Sequence, residues 1–498
     1  MFEQITHFGK HSFVYSTGVL LQRIASFLLV PMYTLYFSTS DYGQMEILAN
    51  TSTVMTTLLA LGLVSGMFRS YFMYSDGTHR LNIAKTAHII FLFTSLFVLI
   101  LLPFSSQISS LLLGDSSHYQ LVSLVIISIF LTNLLVIPFS ILRAKDQSIR
   151  YVIYSLIQFF INIGFTIYLV AFAKRGVKGN FEGMVIGQLV VILLFTGMFI
   201  SLARAKFSRK DAREMLSFGL PFVPAMLAAI SLTVADRYFL RAYSTFDEIG
   251  VYGLGYKIGL IVSVVIVTPF MLGWGPIMWS VSEKPYAKRF YANVLTYFLT
   301  IALFLALALS ILSPEVIQLM SQRESYWRAW QVVPMISLSY VFYGIYYQMN
   351  VGINLKKKTK YIPIIVGGAA IINLLLNFLL IPKWGMMGAA ISTILSYAIL
   401  VIFSFFVSRR LYPIKYQWIR IIKLSIIFII LLLMGLIISF DSILISLAVK
   451  FIILLCFPIL LILTHFFYKE EINRLQELFR IIRKKIGQLF RRFEKIGS

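Results

Sequence analysis

The feature that most constrains this chain is a run of about twenty apolar residues that recurs along its whole length. A helix of that length crosses the hydrocarbon core of a bilayer, where each backbone amide and carbonyl must find its partner inside the segment. Fourteen runs are predicted, at 13–36, 43–68, 86–104, 119–142, 151–173, 182–203, 215–236, 250–273, 290–313, 329–350, 361–382, 385–408, 420–439 and 444–468. Only 13% of the residues are charged, about half the share of an ordinary soluble chain. No small-residue cleavage site follows the first run, so it reads as a retained helix and not as a signal peptide. The single cysteine, Cys456, lies in an apolar run and reads as a small buried hydrophobe.

The net charge of +24 is distributed with a bias. Of the 44 Lys and Arg residues, 33 fall in segments on the side of the N-terminus and 8 on the opposite side. The remaining three, Arg23, Lys257 and Lys450, lie inside runs. Lys and Arg are retained on the cytoplasmic side of a membrane, so both termini are predicted to be cytoplasmic. This bias accounts for the basic balance without a nucleic-acid partner. In the tail 469–498, Leu475, Leu478, Phe479, Ile482, Ile486, Leu489, Phe490 and Phe493 recur at helical spacing among basic residues. That pattern predicts an amphipathic helix on anionic lipid, with docking to a cytoplasmic partner as the alternative.

An internal duplication is visible. Phe37-Ser-Thr-Ser-Asp41 ends one run and Tyr243-Ser-Thr-Phe-Asp247 ends another, 206 residues later, each with a glycine soon after (Gly43, Gly250). Ile161-Asn162 followed by Gly183 matches Ile372-Asn373 followed by Gly388, with the asparagines 211 residues apart. Six runs per half make the halves parallel repeats, and in transporters built this way the substrate site lies between them. The expected organisation is an all-α membrane protein of about fourteen helices. It has an N-terminal lobe at 1–208, a C-terminal lobe at 209–412, two extra helices at 413–468 and a basic helix at 469–498.

Charges inside the membrane mark candidate sites, because each costs about 2.5–3.5 kcal/mol at mid-bilayer on insertion scales. Arg23 is the deepest, and is expected to face a central polar cavity or to pair with Glu46. Lys257 lies about 10 Å from the end of its run and either faces the cavity or snorkels. Asp236 and Arg237 read as an ion pair or a coupling site, and Glu46 as a pair or an interfacial group. Lys450, near a run edge, reads as an anchor. Asn50, Asn373 and Asn377 are candidate polar groups along the path, although most such groups bond neighbouring helices. Cationic candidates suit an anionic head group, and arginine suits phosphate in particular.

Catalysis has little support. The Gly-x4-Gly-Lys-Ser/Thr phosphate loop is absent, none of the six histidines has metal-ligand spacing, and no large soluble segment exists to carry chemistry. No enzyme activity, metal or cofactor is expected.

Several stretches resemble a known family. Gly219-Leu-Pro221, Asp236-Arg-Tyr-Phe-Leu240, Gly250-Val-Tyr-Gly-Leu-Gly-Tyr-Lys-Ile-Gly259, Gly273-Trp274 with Pro276, and Asn373 through Thr393 preceded by Lys357-Lys-Thr359 carry the resemblance. They are similar to Wzx-type lipid-linked oligosaccharide flippases of the multidrug/oligosaccharidyl-lipid/polysaccharide exporter superfamily. The resemblance implies a V-shaped, two-lobed exporter in the bacterial inner membrane that moves undecaprenyl-diphosphate-linked repeat units outward for surface polysaccharide assembly. It implies head-group roles for Arg23 and Lys257, which lie on helices corresponding to those that carry basic cavity residues in related lipid II flippases. The expected partners are the lipid-linked glycan, membrane lipids and a polysaccharide polymerase or other assembly protein. Two alternatives stand beside it: a cation-coupled small-molecule or multidrug exporter of the same fold, and a membrane scaffold for a glycan-assembly complex.

Overall fold

The computed structural model of the chain describes residues 27, 29–438, 440, 442–468 and 471, and every regular element among them is helical. Arg23 lies outside the described residues, as does the tail 469–498 apart from Glu471. The first half contains α1 (Val30–Tyr36), α2 (Thr39–Leu59), α3 (Leu63–Met73), α4 (Gly77–Leu99), α5 (Ser105–Leu113), α6 (Tyr119–Ala144), α7 (Ser148–Ile167), α8 (Gly176–Leu194) and α9 (Thr196–Arg204). After α10 (Arg209–Gly219), the second half contains α11 (Val223–Tyr243), α12 (Phe246–Gly259), α13 (Thr268–Val281), α14 (Ala287–Met320), α15 (Val333–Met349), α16 (Val351–Leu355) and α17 (Tyr361–Leu411). The last two helices are α18 (Trp418–Ile437) and α19 (Ile443–Leu463).

Among the described residues ten helices are long and apolar enough to cross a membrane, or eleven if α2 and α3 form one bent span. The difference from the fourteen expected runs has local causes. Most of the run at 13–36 is outside the described residues. The run at 329–350 is divided between a tighter 3₁₀ stretch, Glu324–Val332, and the 17-residue α15. The runs at 361–382 and 385–408 are joined in the 51-residue α17, which breaks at Gly385 (φ 50°, ψ −128°). Glycine alone takes that conformation without strain, and the Glu248 carboxylate accepts a hydrogen bond from the freed Met386 amide at 2.9 Å.

Each of the two similar motifs leads into a capped helix start, with the cap one residue later in the second motif. Ser38 Oγ accepts the Asp41 amide at 3.1 Å, and the Asp41 carboxylate accepts the Ser38 amide at 3.0 Å, a reciprocal cap on α2. Thr245 Oγ1 accepts the Glu248 amide at 3.3 Å and caps α12. The two capped helices then pack on each other through their glycines. A Cβ on Gly43 would lie 2.0 Å from the Phe246 carbonyl oxygen, and one on Gly250 would lie 2.0 Å from that of Thr39. The repeated sequence thus builds a nearly symmetric crossing between the halves.

At the other end, rich in Lys and Arg, α2 and α3 are bent by 41°. Gly62 at this bend (φ 63°) has room for no side chain, since its Cβ would lie 2.2 Å from the Gly219 carbonyl oxygen. The amphipathic α10 fills the bend. Its Met215 shares a core with Leu63, Met67, Ile83 and Ile141, so the link between the halves is held against the first half.

Candidate functional site

The α2–α12 crossing places an ion pair between the halves. Lys257 on α12 lies 3.1 Å from the Glu46 carboxylate on α2 and donates to the Tyr42 hydroxyl at 2.6 Å. Tyr42 and Glu46 are one helical turn apart, so both reach the same cation. The ammonium also sits 4.6 Å from the Tyr42 ring centroid and 6.0 Å from that of Tyr33, within cation–π reach. Tyr33 in turn donates to Asn180 on α8 at 2.8 Å. The helices approach closely enough that a Cβ on Gly253 would lie 2.8 Å from Glu46 Cγ. The two partners differ in access: the Lys257 side chain is 35% exposed and that of Glu46 only 11%. Lys257 is therefore turned toward the first half.

Above this pair, polar contacts close the Lys- and Arg-poor end. Thr39 donates to Asp247 across the crossing. Arg241 donates to the Leu112 carbonyl at 2.9 Å, and Tyr326 donates to that of Ser38 at 2.9 Å. Each joins an element of the first half to one of the second.

The other candidate residues are placed differently. Asp236 and Arg237 pair with each other at 2.8 Å and are both buried. Arg237 also donates to the Thr233 carbonyl at 2.7 Å and lies 3.8 Å from the Tyr256 ring centroid and 5.0 Å from that of Tyr252. Tyr252 donates to the other Asp236 oxygen at 2.5 Å. Asn373 and Asn377 form a buried ladder within α17: Asn377 donates to Asn373 at 3.1 Å, and Asn373 to Ser396 at 3.1 Å. Asn50 is half-buried and donates to the Glu46 carbonyl at 2.7 Å. The structure therefore brings together Glu46, Lys257 and Asn50, with Arg237 near enough for its charge to act on Glu46, and places Asp236 and the two asparagines elsewhere in the second half.

Two further clusters join the last two helices to α14. Lys450 is buried, not an anchor at a span edge: it pairs with Glu315 on α14, and Ser446 donates to the same carboxylate at 2.5 Å. The i, i+4 spacing of Ser446 and Lys450 was a usable sign of one polar face on an otherwise apolar run. No local pattern pointed to Glu315, 135 residues away. At the Lys- and Arg-rich end, Arg420 on α18 pairs with Glu471 at 2.9 Å, and Tyr297 on α14 donates to the same carboxylate.

These arrangements can be set beside known proteins. The family described as polysaccharide biosynthesis protein matches residues 8–282 of this chain. An uncharacterized membrane protein of Methanocaldococcus jannaschii is 26% identical over 235 residues, so the match spans less than half of either protein, 44% of each. Among solved structures, the lipid II flippase MurJ in an inward closed conformation matches with a TM-score of 0.72 at 18% identity, covering 90% of this chain and 98% of that one. An inward-facing multidrug resistance MATE family transporter of the MOP superfamily gives a TM-score of 0.60 at 16% identity, covering 78% of this chain and 97% of the other. At such identities the likeness is one of fold.

Proposed function

The chain belongs to the polysaccharide biosynthesis protein family, and from that premise we propose that it is a flippase for polyprenyl-diphosphate-linked oligosaccharides. The family and fold are those of multi-pass membrane transporters, not enzymes. In this reading the Lys- and Arg-rich end faces the cytoplasm. The diphosphate and its sugars cross between the halves while the polyprenyl tail stays in lipid. Lys257 binds the phosphates, joined by Arg23, which lies outside the described residues. Rocking of one half on the other alternates access, as in other parallel-repeat transporters. The translocated unit is then delivered in the outer leaflet of the bacterial inner membrane to a polymerase or other assembly protein.

One observation carries this reading: in the ion pair between the halves the partly exposed member is the cation, Lys257, with its carboxylate buried behind it. An exporter of cationic drugs needs the reverse, an open carboxylate. Glu46, Asp236 and Glu315, three carboxylates buried in membrane-crossing helices, each already have a cationic partner. Asp236 has the least freedom to bind a coupling ion, because Arg237 and Tyr252 occupy both its oxygens. The test is a deletion strain. Undecaprenyl-linked oligosaccharide should accumulate on the cytoplasmic face of its membrane. Accumulation on the outer face, or unchanged export with increased drug sensitivity, would contradict the proposal.

A further inference from the structure

Lys257 has three ammonium hydrogens, and two are directed at Glu46 and Tyr42. Its side chain is one-third exposed, so the remaining donor has room for an acceptor arriving from the open side. Glu46 has no such freedom. It is buried beneath the lysine against Gly253, at the inner end of the seam formed by Gly43, Gly250, Thr39 and Asp247. Thr39 and Glu46 are seven residues apart on α2, about 10 Å along the helix. The ion pair and the outer seam therefore belong to one helix–helix contact.

We propose that Glu46 is the resident anion of the Lys257 site, that an incoming diphosphate takes the lysine from it, and that this exchange opens the outer seam. The inference rests on the proposed function and adds the step that links cargo binding to the change of access. Its physical basis is the asymmetry of a broken buried pair: removing the partner leaves an uncompensated charge at large cost. A diphosphate carries more charge and more acceptor oxygens than one carboxylate, so it competes well for the ammonium. Glu46, left without its lysine in a closed contact and with only the Arg237 charge near it, regains its solvation when α2 and α12 separate and admit water. Empty protein then keeps its outer end shut, and loaded protein opens it.

The test places spin labels at Ser116→Cys and Gln322→Cys, exposed positions in different halves at the outer end, in a Cys456→Ala background. Distances are read by pulsed electron resonance in phosphatidylethanolamine/phosphatidylglycerol nanodiscs, with undecaprenyl diphosphate as the probe. The parent should show a short distance alone and gain a long one with the probe. Glu46→Gln, which leaves no carboxylate to strand, should keep the short distance with and without the probe. Lys257→Gln, which strands the carboxylate directly, should show the long distance without the probe and ignore it. If Lys257→Gln matches the empty parent, or the probe opens Glu46→Gln as it opens the parent, the exchange is wrong and the flippase reading is untouched. If Lys257→Gln opens but the probe leaves the parent shut, Glu46 and Lys257 are only a gate, and both the exchange and the diphosphate reading fail.

Discussion

Two ion pairs whose cations, Arg237 and Lys257, stand 20 residues apart in sequence have opposite designs. Asp236 and Arg237 are neighbours on one helix, sealed by Tyr252 and Tyr256 of the same half, and only the Arg237 charge reaches across to Glu46. Glu46 and Lys257 come from different halves, and the lysine remains partly open. A pair made within one rigid body survives any movement of that body. A pair made across two bodies is broken when they part. The first pair therefore stabilises the second half, and the second is placed to report and control the relation between halves.

The comparison is broken most severely by removing Arg237. Arg237→Ala strands a buried carboxylate and should cost about 3–5 kcal/mol, seen as a lower thermal unfolding temperature in detergent and reduced yield from membranes. Lys257→Ala should leave yield and unfolding temperature near the parent, because the lysine is partly solvated and its loss can be offset by movement between halves. Equal destabilisation by the two variants would erase the distinction.

Next in size is Gly43→Val. The added Cβ would lie 2.0 Å from the Phe246 carbonyl oxygen, so the seam cannot close while each half still folds. The expected result is a normally folded protein in which a cysteine at Thr39 reacts with a membrane-impermeant thiol reagent from outside. A protected cysteine would show that the crossing tolerates the side chain. The smallest effect concerns the partly exposed Glu471 clasp. Burial raises its carboxyl pKa, but the Tyr297 hydroxyl, the Tyr468 amide and Arg420 outweigh this and hold it below the usual carboxylate range. A depressed folded pKa gives stability above the unfolded value that is lost as pH falls through the folded one. Parent protein should therefore lose a small increment of thermal stability on acidification that Glu471→Gln lacks.

Much of this architecture was legible in the sequence, because helices announce themselves by apolar length and by caps. The matched motifs at 37–41 and 243–247 were visible as sequence, and each leads into a helix start, capped by Ser38 and by Thr245. The tertiary partners of the charges were not legible. Hydropathy puts Lys450 near a run edge, where an anchor is the ordinary reading; only the fold brings Glu315 to it from 135 residues away. Lys257 left two orientations open for the same reason, since a position along a helix does not say which neighbour the helix meets. Gly385 and Gly62 show the same limit: a glycine inside an apolar run is tolerated in a helix, and its role as a break follows from what packs against it.

The central claim is that Lys257 handles an anionic, lipid-linked cargo between two moving halves. The most direct measurement is transport of an undecaprenyl-diphosphate-linked saccharide in proteoliposomes containing parent protein or Lys257→Gln at matched amounts of folded protein. The account predicts that the parent moves the glycan across the bilayer and that the variant does not. Parental transport by Lys257→Gln would contradict it.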